Sequence, residues 1–202
     1  MRVRISKNLV NVAAFSLLEL LLVATILIVV SVLMMGKFNT SAHRKEMAAC
    51  RSNLEKIYLA LNFYRTDNGA YPFVQGATSP SAPLSLLIPK CTTVTEIFIC
   101  PGSSDRPLPE GEHFAERRIS YAYYMGRMTN DAPGEVLMSD WQVDNALKRA
   151  GQLVFSLDGK RPGNNHNDTG GNLLFLDGSV NGCGPKSSRD LMFSSQVVLL
   201  NP

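Results

Sequence analysis

From Phe15 to Met35, a run of 21 residues, the chain has no basic side chain, and Glu19 is its only acid. A run so poor in charge is not the helix of an ordinary water-facing domain, which keeps a polar face. Proline is missing from residues 15–71, so nothing there forces a helix to break. No A-x-A site follows the run, which argues against a cleaved secretory signal with its shorter apolar core of roughly 7–15 residues. No cysteine precedes Cys50, which argues against a lipid-linked precursor. Also missing are G-x-S-x-G, H-E-x-x-H and a P-loop, the short patterns that place a nucleophile, a zinc pair or a phosphate cradle. Nucleic-acid binding lacks its clustered cations. The net charge of +3 is accounted for by Arg2, Arg4 and Lys7, and the other 17 basic side chains match 17 acids.

What is present begins with that run. At ~1.5 Å per residue it reaches about 30 Å, one bilayer core. The cationic, acid-free residues 1–14 before it read as the cytoplasmic side of an insertion signal. The run is therefore expected to stay with the protein as a membrane anchor. Beyond Gly36 polarity rises, and Met47, Cys50, Leu54, Ile57, Leu61 and Tyr64 recur at spacings of three and four, an amphipathic helix stripe reaching about Arg65. Asp67, Asn68 and Gly69 supply turn chemistry, and Pro72 forbids continuation.

The string AFSLLELLLVATILIVV, residues 14–30, resembles the processing and methylation signal of type IV pilins and type II secretion pseudopilins. The resemblance implies that a prepilin peptidase cuts between Ala14 and Phe15, Ala14 standing where the family usually has Gly. It also implies that the new Phe15 amine is N-methylated and that Glu19 becomes the fifth mature residue, matching the family's glutamate. A free α-amino group is cationic near neutral pH, its reference pKa being about 8. Glu19 of one subunit would then pair with the Phe15 amine of a neighbour and set their register. RTDNGAYP, residues 65–72, likewise resembles the end of the long helix in major pseudopilins.

The expected architecture is α+β and pilin-like: a long N-terminal helix, its first half membrane-spanning, packed on a small antiparallel sheet. Residues 1–14 would be leader, 15–35 the transmembrane and filament-core helix, 36–66 its amphipathic continuation, and 67–202 a β-rich periplasmic head. A Ser/Pro/Gly-rich connection occupies 76–90. Strands are expected at 95–100, 119–125, 135–140, 152–159, 172–180 and 194–200, with a hairpin around Asp177-Gly178.

Four cysteines in an oxidising compartment suggest disulfides, and four allow three pairings. Cys91 and Cys100 bracket a short loop and form the favoured pair; Cys50 with Cys183 would then tie helix to sheet. Cys50 inside the helix stripe has the alternative of a free core thiol. Zinc is disfavoured, because no C-x-x-C pair exists and the three histidines are scattered.

NNHNDTGGNLLFLDGSV, residues 164–180, resembles a His…Asp-Gly element near the C-terminus of many prepilin-like proteins, through His166, Gly171, Asn172, Phe175, Asp177 and Gly178. It holds one residue more than the usual spacing. FICPGSS, residues 98–104, followed by SYAYYM looks like the same group. His166 and Gly178 are read as fixing a loop rather than as catalytic, no catalytic pattern accompanying them. The resemblance to major pseudopilins also implies a calcium loop, for which Asp158, Asn164, Asn165, Asp168 and Asp177 are the oxygen donors in the comparable region. The alternative is a set of turn formers.

The function implied is that of a pseudopilin, not an enzyme, assembling through its helix into a periplasmic filament for type II secretion. Its expected partners are copies of itself, other pseudopilins, the prepilin peptidase and an inner-membrane assembly platform. Its expected place is the bacterial inner membrane, single-pass, with the head in the periplasm. The alternatives are a type IV pilin or minor pilin of a surface filament and, from another class, a membrane-anchored envelope enzyme or binding protein.

Overall fold

The computed structural model describes residues 16–106, 114, 118–146, 148–191 and 196–202, without the side chains of 34–42. Ala14 and Phe15, and the leader before them, lie outside the described residues. Two compact units are present, Met1–Ser41 and Ala42–Pro202. Helix α1, Leu17–Asn68, contributes to both.

In the first unit α1 opens at Ser16, whose Oγ accepts the Glu19 backbone N–H at 3.2 Å. Ser at the cap with Glu three residues on is the pattern of a capping box. The following apolar side chains are exposed, from Leu17 at 84% to Leu33 at 67%. The expected membrane-spanning half is corrected here: among the described residues no helix is long and apolar enough to cross a membrane. The same finding overturns the expected single-pass inner-membrane location.

In the second unit the predicted stripe is the buried face of α1. Cys50, Leu54, Ile57 and Leu61 are fully buried and pack against one side of a five-stranded sheet. The strands are β1 Tyr121–Met125, β2 Val136–Asp140, β3 Gly171–Phe175, β4 Val180–Cys183 and β5 Val198–Leu200, in the order β4-β3-β2-β1-β5. Every neighbouring pair is antiparallel. Side-chain alternation divides β1 between two clusters: Tyr121, Tyr123 and Met125 join the α1 side, while Ala122 and Tyr124 join the other. Aromatic residues favour a pleated, packed surface of this kind.

Two expected strands take other forms. Residues 95–100 form a 3-10 helix, Thr95–Phe98, which seats Ile97 and Phe98 in the core and delivers Cys100 to α1. Residues 152–159 form a single bridge, Leu153 to Lys186, while Val154 and Phe155 fill the second cluster. The sheet has apolar side chains on both faces and α1 covers only one, so this apolar segment serves as a cover for the other. Within the 76–90 connection a short helix α2, Ser81–Leu84, and a 3-10 turn bury Leu84 and Leu87.

Candidate functional site

The site is assembled from four separate parts of the chain. Helix α1 supplies Cys50, the segment after the 3-10 helix supplies Cys100, the end of β2 supplies Asp140, and the loop before β3 supplies His166. All four are fully buried. Cys50 and Cys100 form a disulfide with Cα atoms 5.3 Å apart, while Cys91 and Cys183 are free thiols. The favoured 91–100 pairing is therefore corrected, as are Cys50–Cys183 and the free Cys50 thiol. Loop length is a weak guide to pairing, because closing a longer loop costs only about 0.6 kcal/mol per doubling. The packing of the 3-10 helix beneath α1 decides the partner.

His166 Nε2 lies 3.1 Å from Asp140 Oδ2 and 3.6 Å from Cys100 Sγ. The same Asp140 oxygen accepts the backbone N–H of Asn172 at 2.6 Å and its side-chain amide at 3.0 Å. Asn172 also donates to the Met47 carbonyl of α1 at 3.2 Å, linking helix and sheet through the carboxylate. Asp140 Oδ1 and His166 Nδ1 are buried with no hydrogen-bond partner. Such orphans are rare in protein interiors and call for an explanation. Gly102 is required by close approach: a Cβ there would stand 2.2 Å from the Asn165 carbonyl oxygen and 3.0 Å from His166 Nδ1.

The loop carrying His166 is anchored by its neighbours. Asn165 donates its amide to the Ser120 carbonyl at 2.7 Å, and Thr169 donates from its hydroxyl to the His166 carbonyl at 2.6 Å. Further along, the Asp177-Gly178 turn joins β3 to β4 and docks on α1. Tyr58 donates to the Leu176 carbonyl at 3.0 Å, and Gly178, at φ +86°, leaves no space for a Cβ beneath the Tyr58 ring. The two halves of the His…Asp-Gly element thus touch α1 at different places.

The three candidate calcium carboxylates are not gathered into one group among the described residues. Asp158 accepts the Ser156 hydroxyl and the Lys160 backbone N–H, which holds its carboxyl below the usual range. Asp177 accepts both the hydroxyl and the backbone N–H of Ser179, with the same effect. Asn164 donates to the Gly159 carbonyl, and Asp168 is exposed. Asp158, Asp168 and Asp177 form no cluster of metal-ligating side chains among the described residues; the cluster found there is Cys50, Cys100, Asp140 and His166. Sequence reasoning missed Asp140, and it placed Asn172 in the His…Asp-Gly element without its contact to that carboxylate. The only available signal was an acid closing the apolar stretch VLM.

A buried His-Asp pair is the usual beginning of acid-base catalysis, and here both members are fully buried. A polar cleft of about 210 Å³ opens beside the loop, lined by Ser103, Asp105, Trp141 and Arg161 among others. The Arg118 guanidinium stacks 4.5 Å from the Trp141 ring centroid. No family model, curated protein or solved structure matches the chain.

Proposed function

We propose that the chain is a filament subunit of the pseudopilin kind, which joins copies of itself through the first part of α1 and performs no bond chemistry. One observation carries the reading: the apolar start of α1 is exposed on every side. Leu20, Leu21, Leu22 and Val23 are between 44% and 65% exposed, and consecutive residues are turned about 100° apart, so these four face the whole circumference. A helix apolar all round is stable only when something covers it.

Magnitudes favour several neighbours over one. Thirteen large apolar side chains between Leu17 and Leu33 are exposed. Burying half of each is worth on the order of 10–20 kcal/mol at ~1.5–3 kcal/mol per full burial, against an association cost of about 4–15 kcal/mol. Contact with one partner helix is marginal, whereas contact with several is cohesive. Glu19, exposed in the single chain, would then be enclosed and would need a cation, which the Phe15 amine supplies after cleavage at Ala14. The resemblance of residues 66–72, TDNGAYP, to the helix end of major pseudopilins supports secretion pseudopilins over surface pilins. The full burial of His166 and Asp140 supports the reading without catalysis.

The test is the intact mass and sedimentation of the protein expressed beside a prepilin peptidase and its assembly partners. The expected product begins with methylated Phe15 and sediments as filaments. A solitary chain still beginning at Met1 overturns the proposal.

A further inference from the structure

We infer that Cys50, Cys100, Asp140 and His166 form a second, metal-binding state of the protein: a buried tetrahedral site for zinc that the disulfide closes. The site lies wholly within the Ala42–Pro202 unit and stands whether or not the chain assembles.

The geometry fits that ion. Zinc bonds of ~2.0–2.3 Å in a tetrahedron place neighbouring ligand atoms roughly 3.3–3.8 Å apart. The ligand atoms here lie within 4.8 Å of one another, with Nε2 to Oδ2 at 3.1 Å and Nε2 to Cys100 Sγ at 3.6 Å. Opening the disulfide, separating its sulfurs to roughly 3.8 Å and drawing in ligand atoms now up to 4.8 Å apart complete the tetrahedron. The chemistry fits as well. Two thiolates and an imidazole select zinc over calcium or magnesium, and the carboxylate completes a four-ligand set. The two N–H groups of Asn172 on Asp140 already hold that ligand in place, as outer-shell partners do.

The ligand residues also carry unpartnered buried atoms, Asp140 Oδ1 and His166 Nδ1. With the disulfide formed, Asp140 is sealed from water with three donors on one oxygen and none on the other, and His166 Nδ1 has none either. A buried carboxylate so unevenly satisfied is costly, and a cation beside it offsets that cost. The polar cleft is lined by Gly102 and Asn165, which border His166.

The two states exclude each other because the same sulfurs serve both. A dithiol of the thioredoxin class supplies two electrons and two protons to the disulfide and is itself oxidised to a disulfide. The two thiols then bind zinc as thiolates and release two protons. A newly made chain, its cysteines still reduced, needs no reductant.

The experiment uses the full chain carrying C91S and C183S, so that only Cys50 and Cys100 report. A phosphine opens the disulfide under anaerobic conditions, becoming the phosphine oxide with oxygen from water, and zinc or cobalt(II) is then titrated against a chromophoric chelator. The expected result is one metal per reduced chain, with thiolate-to-cobalt charge transfer and the intense visible bands of tetrahedral cobalt. The oxidised chain should bind none. D140N and H166Q, each at a ligand, should weaken binding at least as much as the 10–100-fold loss typical of outer-shell changes. If reduction unfolds the chain, zinc should restore its circular dichroism. The inference is overturned by weak octahedral cobalt bands, by equal binding to the oxidised chain, by undiminished affinity in both variants, or by a reduced, unfolded chain that zinc does not refold.

Discussion

Glu19 has two possible employments, and a single substitution separates them. Its backbone N–H is capped by Ser16 at 3.2 Å, and a Gln at this position keeps the capping pattern while removing the charge. In the proposed assembly E19Q should therefore form a stable monomer and lose most filament yield in a sedimentation assay. Undiminished filaments would assign the acid to capping alone. At Gly178 the backbone sits in the left-handed region and the Tyr58 ring lies 2.4 Å from where a Cβ would stand. G178A should lower stability by roughly 1–3 kcal/mol from the backbone term alone, and by more as the ring is displaced. Urea unfolding of the oxidised protein measures both. Gly178 was recognisable in the sequence as a turn residue, but its contact with Tyr58, 120 positions earlier, was not.

At the scale of elements, the disulfide joins α1 to the segment after the 3-10 helix across 50 residues of sequence. Chain-entropy reasoning makes such a cross-link worth about 4 kcal/mol. C50A/C100A should accordingly lower the unfolding free energy by that order, whereas C91S, at a partly exposed free thiol, should leave it nearly unchanged. Equal losses in the two variants would contradict the pairing. The elements also show why the 152–159 segment misleads. Its apolar residues suit a strand, but the two sheet edges are held by β4 and β5, and the uncovered face of the sheet draws Val154 and Phe155 instead. Local pattern specifies that these residues are buried; the other elements decide in what conformation.

Across the whole molecule, burial governs the response to alkali. Tyr121, Tyr123 and Tyr124 of β1 are enclosed, and burial pushes each phenol above its ordinary value of 10.0, Tyr124 to about 12. Tyr123 donates to the Pro72 carbonyl at 2.9 Å, and the Tyr124 oxygen accepts from Gln142 at 2.7 Å. A folded value above the unfolded one means that the neutral phenol's contribution is complete below pH 10 and is lost as pH rises from 10 toward the folded value. Each such group costs about 1.4 kcal/mol per pH unit over its window. Stability should thus fall steeply above about pH 10, and phenolate absorbance from these three residues should appear together with loss of circular dichroism. Their ionisation in an intact fold would show that they are not enclosed.

Sequence by itself determined the helix stripe, the β1, β2 and β3–β4 segments, the turn at Asp177-Gly178 and the stop after Asn68, because periodicity and turn chemistry are local properties of consecutive residues. It also determined that the run Phe15–Met35 is too apolar to remain uncovered, but not what covers it. Tertiary structure alone decided the Cys50–Cys100 pairing, the burial of His166 against Asp140, and the use of residues 152–159 as a cover. Each of these depends on which distant segments share one interior, and chain closure over tens of residues costs too little for spacing to foretell it.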